Sequence, residues 1–217
     1  MKSLFTAIRQ NDFEKVKLLL DKKPELVACT AKQPPKKDDG QSPLQVALKT
    51  GKFDIADFLL GSGADVNFIE DETCCNEWRA PVLHDAVNAA IMCSRWNVNS
   101  EIRGGLKVFS TQEKADRAFD VLKKIIEMGA DVNAKDSFGN SCLCRACLQA
   151  RQILPGYSHI EHKLNNNRVL TEELIFDLSR VFGLLINNGA DVNYVAPNFG
   201  RTLKDMYKNE PVERFLI

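Results

Sequence analysis

The chain has 217 residues, 44% of them hydrophobic and 27% charged, the proportions of a folded protein rather than a disordered one. Its 29 Lys and Arg balance its 29 Asp and Glu, so no net field draws it to nucleic acid or to an anionic membrane. No run approaches the roughly 18 apolar residues that span a bilayer. Charged residues follow Met1–Ile8 at once, leaving no apolar core of signal-peptide length. The seven cysteines are odd in number and two are adjacent, Cys74 and Cys75, which reads as reduced thiols in a cytoplasmic protein. Secretion by a machine that reads no N-terminal signal stays open.

The first strong element runs from Gly40 to Ala47. It reads as a turn, a Ser42 N-cap, Pro43 in the first helical position and a short apolar helix. A second helix follows, with Ile55, Leu59 and Leu60 on one face. It ends in Gly63-Ala64-Asp65-Val66-Asn67, where glycine lets the chain turn with positive φ. Leu83-His84-Asp85-Ala86 repeats the first helix less faithfully, and Val121, Ile125 and Ile126 repeat the apolar stripe ahead of Gly129–Asn133. Gly139–Ala146 begins a further copy, with Val181, Leu185 and Ile186 leading to Gly189–Asn193. Each unit is thus predicted as turn, helix A, helix B, turn.

The units differ in length. The motif leucine lies 19 residues before the glycine in the first complete copy (Leu44 to Gly63) but 46 before it in the next two, Leu83 to Gly129 and Leu143 to Gly189. Two equal insertions of 27 residues are therefore predicted to be related. Thr111 and Thr171 each stand 18 residues before their glycine, with Glu two positions on, as an N-cap with an acidic first turn. Helix B is then about 16 residues long in both units, by residue count from these caps. Helix A is expected to lengthen with it, from Leu83 to about Ser94 and from Leu143 to about Leu154, the long hairpins packing side by side. The rival is a hidden sixth unit between Gly63 and Gly129, although nothing near Trp96 repeats Gly-Ala-Asp.

At these residues the sequence resembles the ankyrin-repeat family, whose unit runs Gly-x-Thr-Pro-Leu-His-x-Ala, a second helix, and Leu-Leu-x-x-Gly-Ala-Asp-Val-Asn. Ser42–Ala47 with Leu59–Asn67 is nearly complete, and Asn133–Gly139 matches the linking turn. Leu4–Pro24 resembles an N-terminal unit through Asn11-Asp12-Phe13 and Val16–Leu20, and Gly200-Arg201-Thr202 begins a truncated last one. The resemblance implies an all-α ankyrin-repeat solenoid of about five helix-turn-helix units with β-turn fingers, the two central ones lengthened. It forms a single domain over 1–217, with units near 1–36, 37–69, 70–135, 136–195 and 196–217.

Catalytic chemistry finds little support. Cys142, Cys144 and Cys147 include a C-x-x-C near a helix start, the setting of a redox pair or of a metal site with Cys74, Cys75 and His84. Yet they occupy the repeat's own core positions, where Cys serves as a small buried residue. His84 falls on the motif histidine, which the resemblance assigns to hydrogen-bonding backbone between units. His159 and His162 lie in an inserted segment opened by Pro155-Gly156, which favours a loop over a helical metal site. No phosphate loop, Gly-x-Ser-x-Gly or His-Glu-x-x-His occurs. No catalytic residue, metal or cofactor is expected.

A binding surface remains. The resemblance implies turns that form fingers and helices A that line a concave palm, the face through which solenoids bind. The predicted contacts are the finger residues Glu77, Trp78, Arg79, Lys135, Phe138, Asn140, Phe199 and Arg201 and the palm residues Lys49, Asn88 and Gln149. Aromatic and Arg side chains dominate such interfaces. The expectation is a monomer that binds a partner protein; a metal- or redox-responsive protein using Cys142, Cys144 and Cys147 is the alternative. A third reading docks a partner on the long hairpins at Trp96 or Tyr157.

Overall fold

The computed structural model describes all residues except 101–103, 159, 162, 166 and 198. Helices α1 (Lys2–Gln10) and α2 (Phe13–Lys22) form the first pair, with Asp12 accepting from the Lys15 amide at the start of α2. Helices α3 (Pro43–Lys49) and α4 (Phe53–Gly61) form the second. Ser42 caps α3, and Gln45 reaches back to the Ser42 amide, so both N-terminal donors are satisfied. The next pairs are α5 (Val82–Cys93) with α6 (Gln112–Glu127) and α7 (Cys142–Ala150) with α8 (Glu172–Asn187). A short α9 (Leu203–Met206) and a 3-10 turn at Pro211–Phe215 complete the stack.

One apolar core runs through the pairs, from Leu4 and Ile8 through Leu44, Leu59, Leu83 and Leu122 to Leu185 and Leu216. The predicted stripe residues Ile55, Leu59, Leu60, Val121, Ile125, Ile126, Val181 and Leu185 are all buried in it, and Ile186 packs against it from a partly buried position. Helices α6 and α8 are both 16 residues long and are capped by Thr111 and Thr171, whose hydroxyls accept from the Lys114 and Leu174 amides.

The pentapeptide does more than end a helix. Gly63, Gly129 and Gly189 all hold φ near 90° (88°, 93° and 91°), a conformation L side chains rarely adopt. The Asp two residues on accepts from the amide of the Asn that closes the motif. That Asn then crosses to the next turn: Asn67 donates to Gly129 O (3.1 Å) and accepts from Asp131 N (2.8 Å). Asn133 repeats this with Gly189 O (2.9 Å) and Asp191 N (3.0 Å). Turns 63–67 and 129–133 are therefore hydrogen-bonded neighbours.

Two expectations need correction. The described residues are not wholly helical, because each insertion carries a short antiparallel hairpin. Strands β1 (Asn97–Ser100) and β2 (Gly105–Val108) form one, and β3 (Tyr157–Ser158) and β4 (Lys163–Leu164) the other. Gly104 and Gly105, with φ of 80° and 96°, supply the turn that leads into β2. Helix α7 also stops at Ala150 rather than near Leu154. Residues 151–153 form a turn ahead of Pro155, which disfavours helix in the residue before it. Ile153 and Leu154 stay buried nonetheless.

Candidate protein-binding surface

The finger between α6 and α7 is built on one carboxylate. Asp136 is buried, and its Oδ1 accepts from the amides of Phe138 (3.0 Å) and Asn140 (2.9 Å). Its Oδ2 accepts from Trp78 Nε1 (2.9 Å), Asn140 Nδ2 (3.0 Å) and Arg145 Nη2 (3.0 Å). Burial pushes this carboxyl up, but the donors from Asn140, Trp78 and Arg145 outweigh it and hold Asp136 below its ordinary value. The carboxylate thus ties the finger of residues 70–80 to the next one.

Trp78 is consequently a stacking residue as well as a finger residue. Arg145 covers its ring at 4.6 Å, and the ring is half-buried. The bond to Asp136 holds it against the next finger. Arg79 likewise joins the fingers through its backbone: its amide donates to Ser137 Oγ (3.1 Å) and its carbonyl accepts from the Ser137 amide (2.9 Å). Glu77 is exposed, and its carbonyl accepts from Ser137 Oγ (2.7 Å). Asn140 is buried against Asp136.

The other predicted finger residues face solvent. Phe138 is 48% exposed and Phe199 is 44% exposed, each at the tip of its turn. Lys135 is exposed and lies over the Tyr194 ring at 4.5 Å, and Arg201 is exposed one unit later. Isolated bridges Lys135–Ser141 and Val195–Thr202 close the two fingers. On the palm, Lys49 is exposed and donates to Gln41 Oε1 (3.0 Å), while Asn88 and Gln149 are half-buried.

Behind the palm lie polar groups that the sequence reasoning did not single out. Asp85 is 2% exposed, and its Oδ2 has no hydrogen-bond partner. Burial pushes it up to about 8; nearby Lys49 pulls it down and Glu70 pushes it further up. Glu70 is itself buried, accepting from Gln41 Nε2 (3.0 Å) and the Ala80 amide (2.7 Å). His84 places Nε2 3.2 Å from Ala134 O in the next unit, the role the resemblance implies, and burial lowers it to about 4.

The family model of ankyrin repeats (3 copies) matches residues 1–70. Residues 1–70 are ankyrin repeats. Past Asn67, the asparagine ladder continues to the turns at Gly129 and Gly189. Ankyrin repeats are in general protein–protein interaction modules, typically without enzymatic activity.

The three cysteines of the predicted cluster lie in surroundings that disfavour a thiolate. Cys142, Cys144 and Cys147 are buried, and burial pushes all three thiols up, Cys144 to about 11. That is opposite to the lowered pKa of a reactive thiol. Among the described residues no three His, Cys, Asp or Glu side chains are placed to hold a metal ion. His159 and His162 lie outside the described residues. Among the described residues no helix is long and apolar enough to cross a membrane.

Proposed function

We propose that the chain is a non-catalytic module that grips a partner protein with its fingertips and the adjoining palm. The supporting observation is the recurrence of a half-exposed Phe at the same place in successive fingers, Phe138 and Phe199. Phe138 sits on a turn fixed by Asp136, so little conformational entropy is lost when a partner covers it. Lys135, Arg201 and Glu77 supply a charged rim, and Lys49, Asn88 and Gln149 extend the contact along the palm. Trp78, Arg79 and Asn140 hold the fingers in register from behind. The reading takes the chain as one monomeric stack with units near 1–36, 37–69, 70–135, 136–195 and 196–217, needing no cofactor.

The test is affinity capture from lysate of the source organism, with wild type beside a Phe138→Ala/Phe199→Ala variant of matching melting curve. Truncating an interface anchor costs about 2 kcal/mol or more, roughly thirtyfold in Kd. The captured protein should therefore be lost from the variant. Equal capture by both proteins would overturn the finger placement.

A further inference from the structure

The first inserted hairpin meets the segment that follows the second and leaves a groove separate from fingers and palm. The Asn99 amide donates to Asn167 O (2.8 Å), and the Asn97 side chain both donates to Val169 O and accepts from Val169 N, each at 2.8 Å. Beside this seam lies a groove of about 340 Å³ lined by Asn99, Leu164, Arg168, Val169 and Leu170. Leu164 and Leu170 also line an adjoining groove of about 560 Å³, which adds Lys204, Arg214 and Leu216. Leu164 and Val169 are exposed, so the shared wall presents apolar side chains to solvent.

Cations outnumber acids among the described residues of these grooves. The Arg168 guanidinium stacks over Trp96 at 5.3 Å, and Trp96 stacks on Phe109 at 4.4 Å. Nη1 of Arg168 is buried with no hydrogen-bond partner, and among the described residues the group has no ion pair. Lys204 and Arg214 likewise have no ion pair among the described residues. Two acids also line the larger groove: Glu210 pairs with Arg151 at 2.6 Å, and Glu213 accepts from the Asn209 amide, a neutral donor, at 2.7 Å. Among the described residues, Arg168, Lys204 and Arg214 therefore outnumber the one acid of the grooves, Glu213, that no cation pairs.

We infer that this double groove is a second docking surface, one that takes a short acidic segment of a partner protein carrying apolar side chains between its carboxylates. A guanidinium accepts a carboxylate through two parallel N–H···O bonds, and the Trp96 ring holds its plane fixed. The apolar wall of Leu164, Val169 and Leu170 takes the intervening side chains, which a free inorganic anion would leave unused. The surface is independent of the finger reading.

Fluorescence anisotropy with the intact chain tests this, using labelled six-residue peptides of alternating Leu-Asp, Leu-Asn and Ser-Asp. Leu-Asp should bind saturably and at least about tenfold more tightly than the other two. Arg168→Gln should weaken it about tenfold. A Lys204→Gln/Arg214→Gln variant, changed only at exposed positions, should weaken it too, should Arg168→Gln fail to fold. Phe138→Ala/Phe199→Ala should bind as wild type. No saturation by about 1 mM, equal binding of Leu-Asn, or unchanged binding in the charge variants would overturn the inference. So would co-sedimentation with phosphatidylserine vesicles that the Leu-Asp peptide does not compete.

Discussion

Replacing Asp85 by Asn should stabilise the protein near neutral pH, against the usual trend for buried positions. The carboxyl ionises near 3.8 in the unfolded chain and near 8 in the folded one. Between those values the folded state keeps a proton that the unfolded state has lost, so stability falls as pH rises. The slope is at most about 1.4 kcal/mol per pH unit, and the accumulated cost near pH 7 has an upper limit of about 4 kcal/mol. His84 acts in the opposite sense. Its folded value of about 4 lies below the ordinary 6.5, so its contribution is complete above 6.5 and is lost as pH falls towards 4. The two slopes oppose each other between about 4 and 6.5, and only that of Asp85 remains from there to about 8. Urea unfolding followed by tryptophan emission should show wild type losing up to about 2 kcal/mol across that upper window. Asp85→Asn should be flat there and about 2–4 kcal/mol more stable at neutral pH. A flat wild-type profile, or an Asn variant that is less stable, would refute the reasoning.

Removing the finger hub should have the opposite sign. Asp136→Ala leaves Trp78 Nε1 and the Asn140 and Arg145 side chains without their shared acceptor, a loss of about 3–5 kcal/mol measurable in the same assay. Asn133→Ala breaks the ladder to Gly189 and Asp191, both exposed to water, and should cost only about 1 kcal/mol, with faster hydrogen exchange at the Asp191 amide. A thiol reagent should modify exposed Cys75 in the native protein and reach Cys142, Cys144 and Cys147 only after denaturant is added.

Much of the helical framework was legible because its signals are local. The Gly-Ala-Asp-Val-Asn turns, the Ser42 cap and the Thr111 and Thr171 caps each specify structure within a few residues of themselves. The hairpins were not legible, since strands of two to four residues are too short to carry a periodic signal and are held by contacts such as Asn97 with Val169. Trp78 was found as a finger residue, but its bond to Asp136 spans 58 positions and has no sequence signature. Asp85 went unremarked because an Asp between His84 and Ala86 reads as a solvent-facing helical residue. It is buried on α5, which packs against α3, α6 and α7. Arg168 became notable because its buried Nη1 has no hydrogen-bond partner, which spacing along a chain does not reveal.

The most direct test of the finger reading is to place the photo-crosslinker p-benzoylphenylalanine at 138, at 199 and, as a control, at 176, where Phe176 is 58% exposed on α8. The account predicts that irradiation in lysate joins the same partner to positions 138 and 199 and leaves position 176 unjoined. A partner crosslinked at 176 and at neither finger position would contradict it.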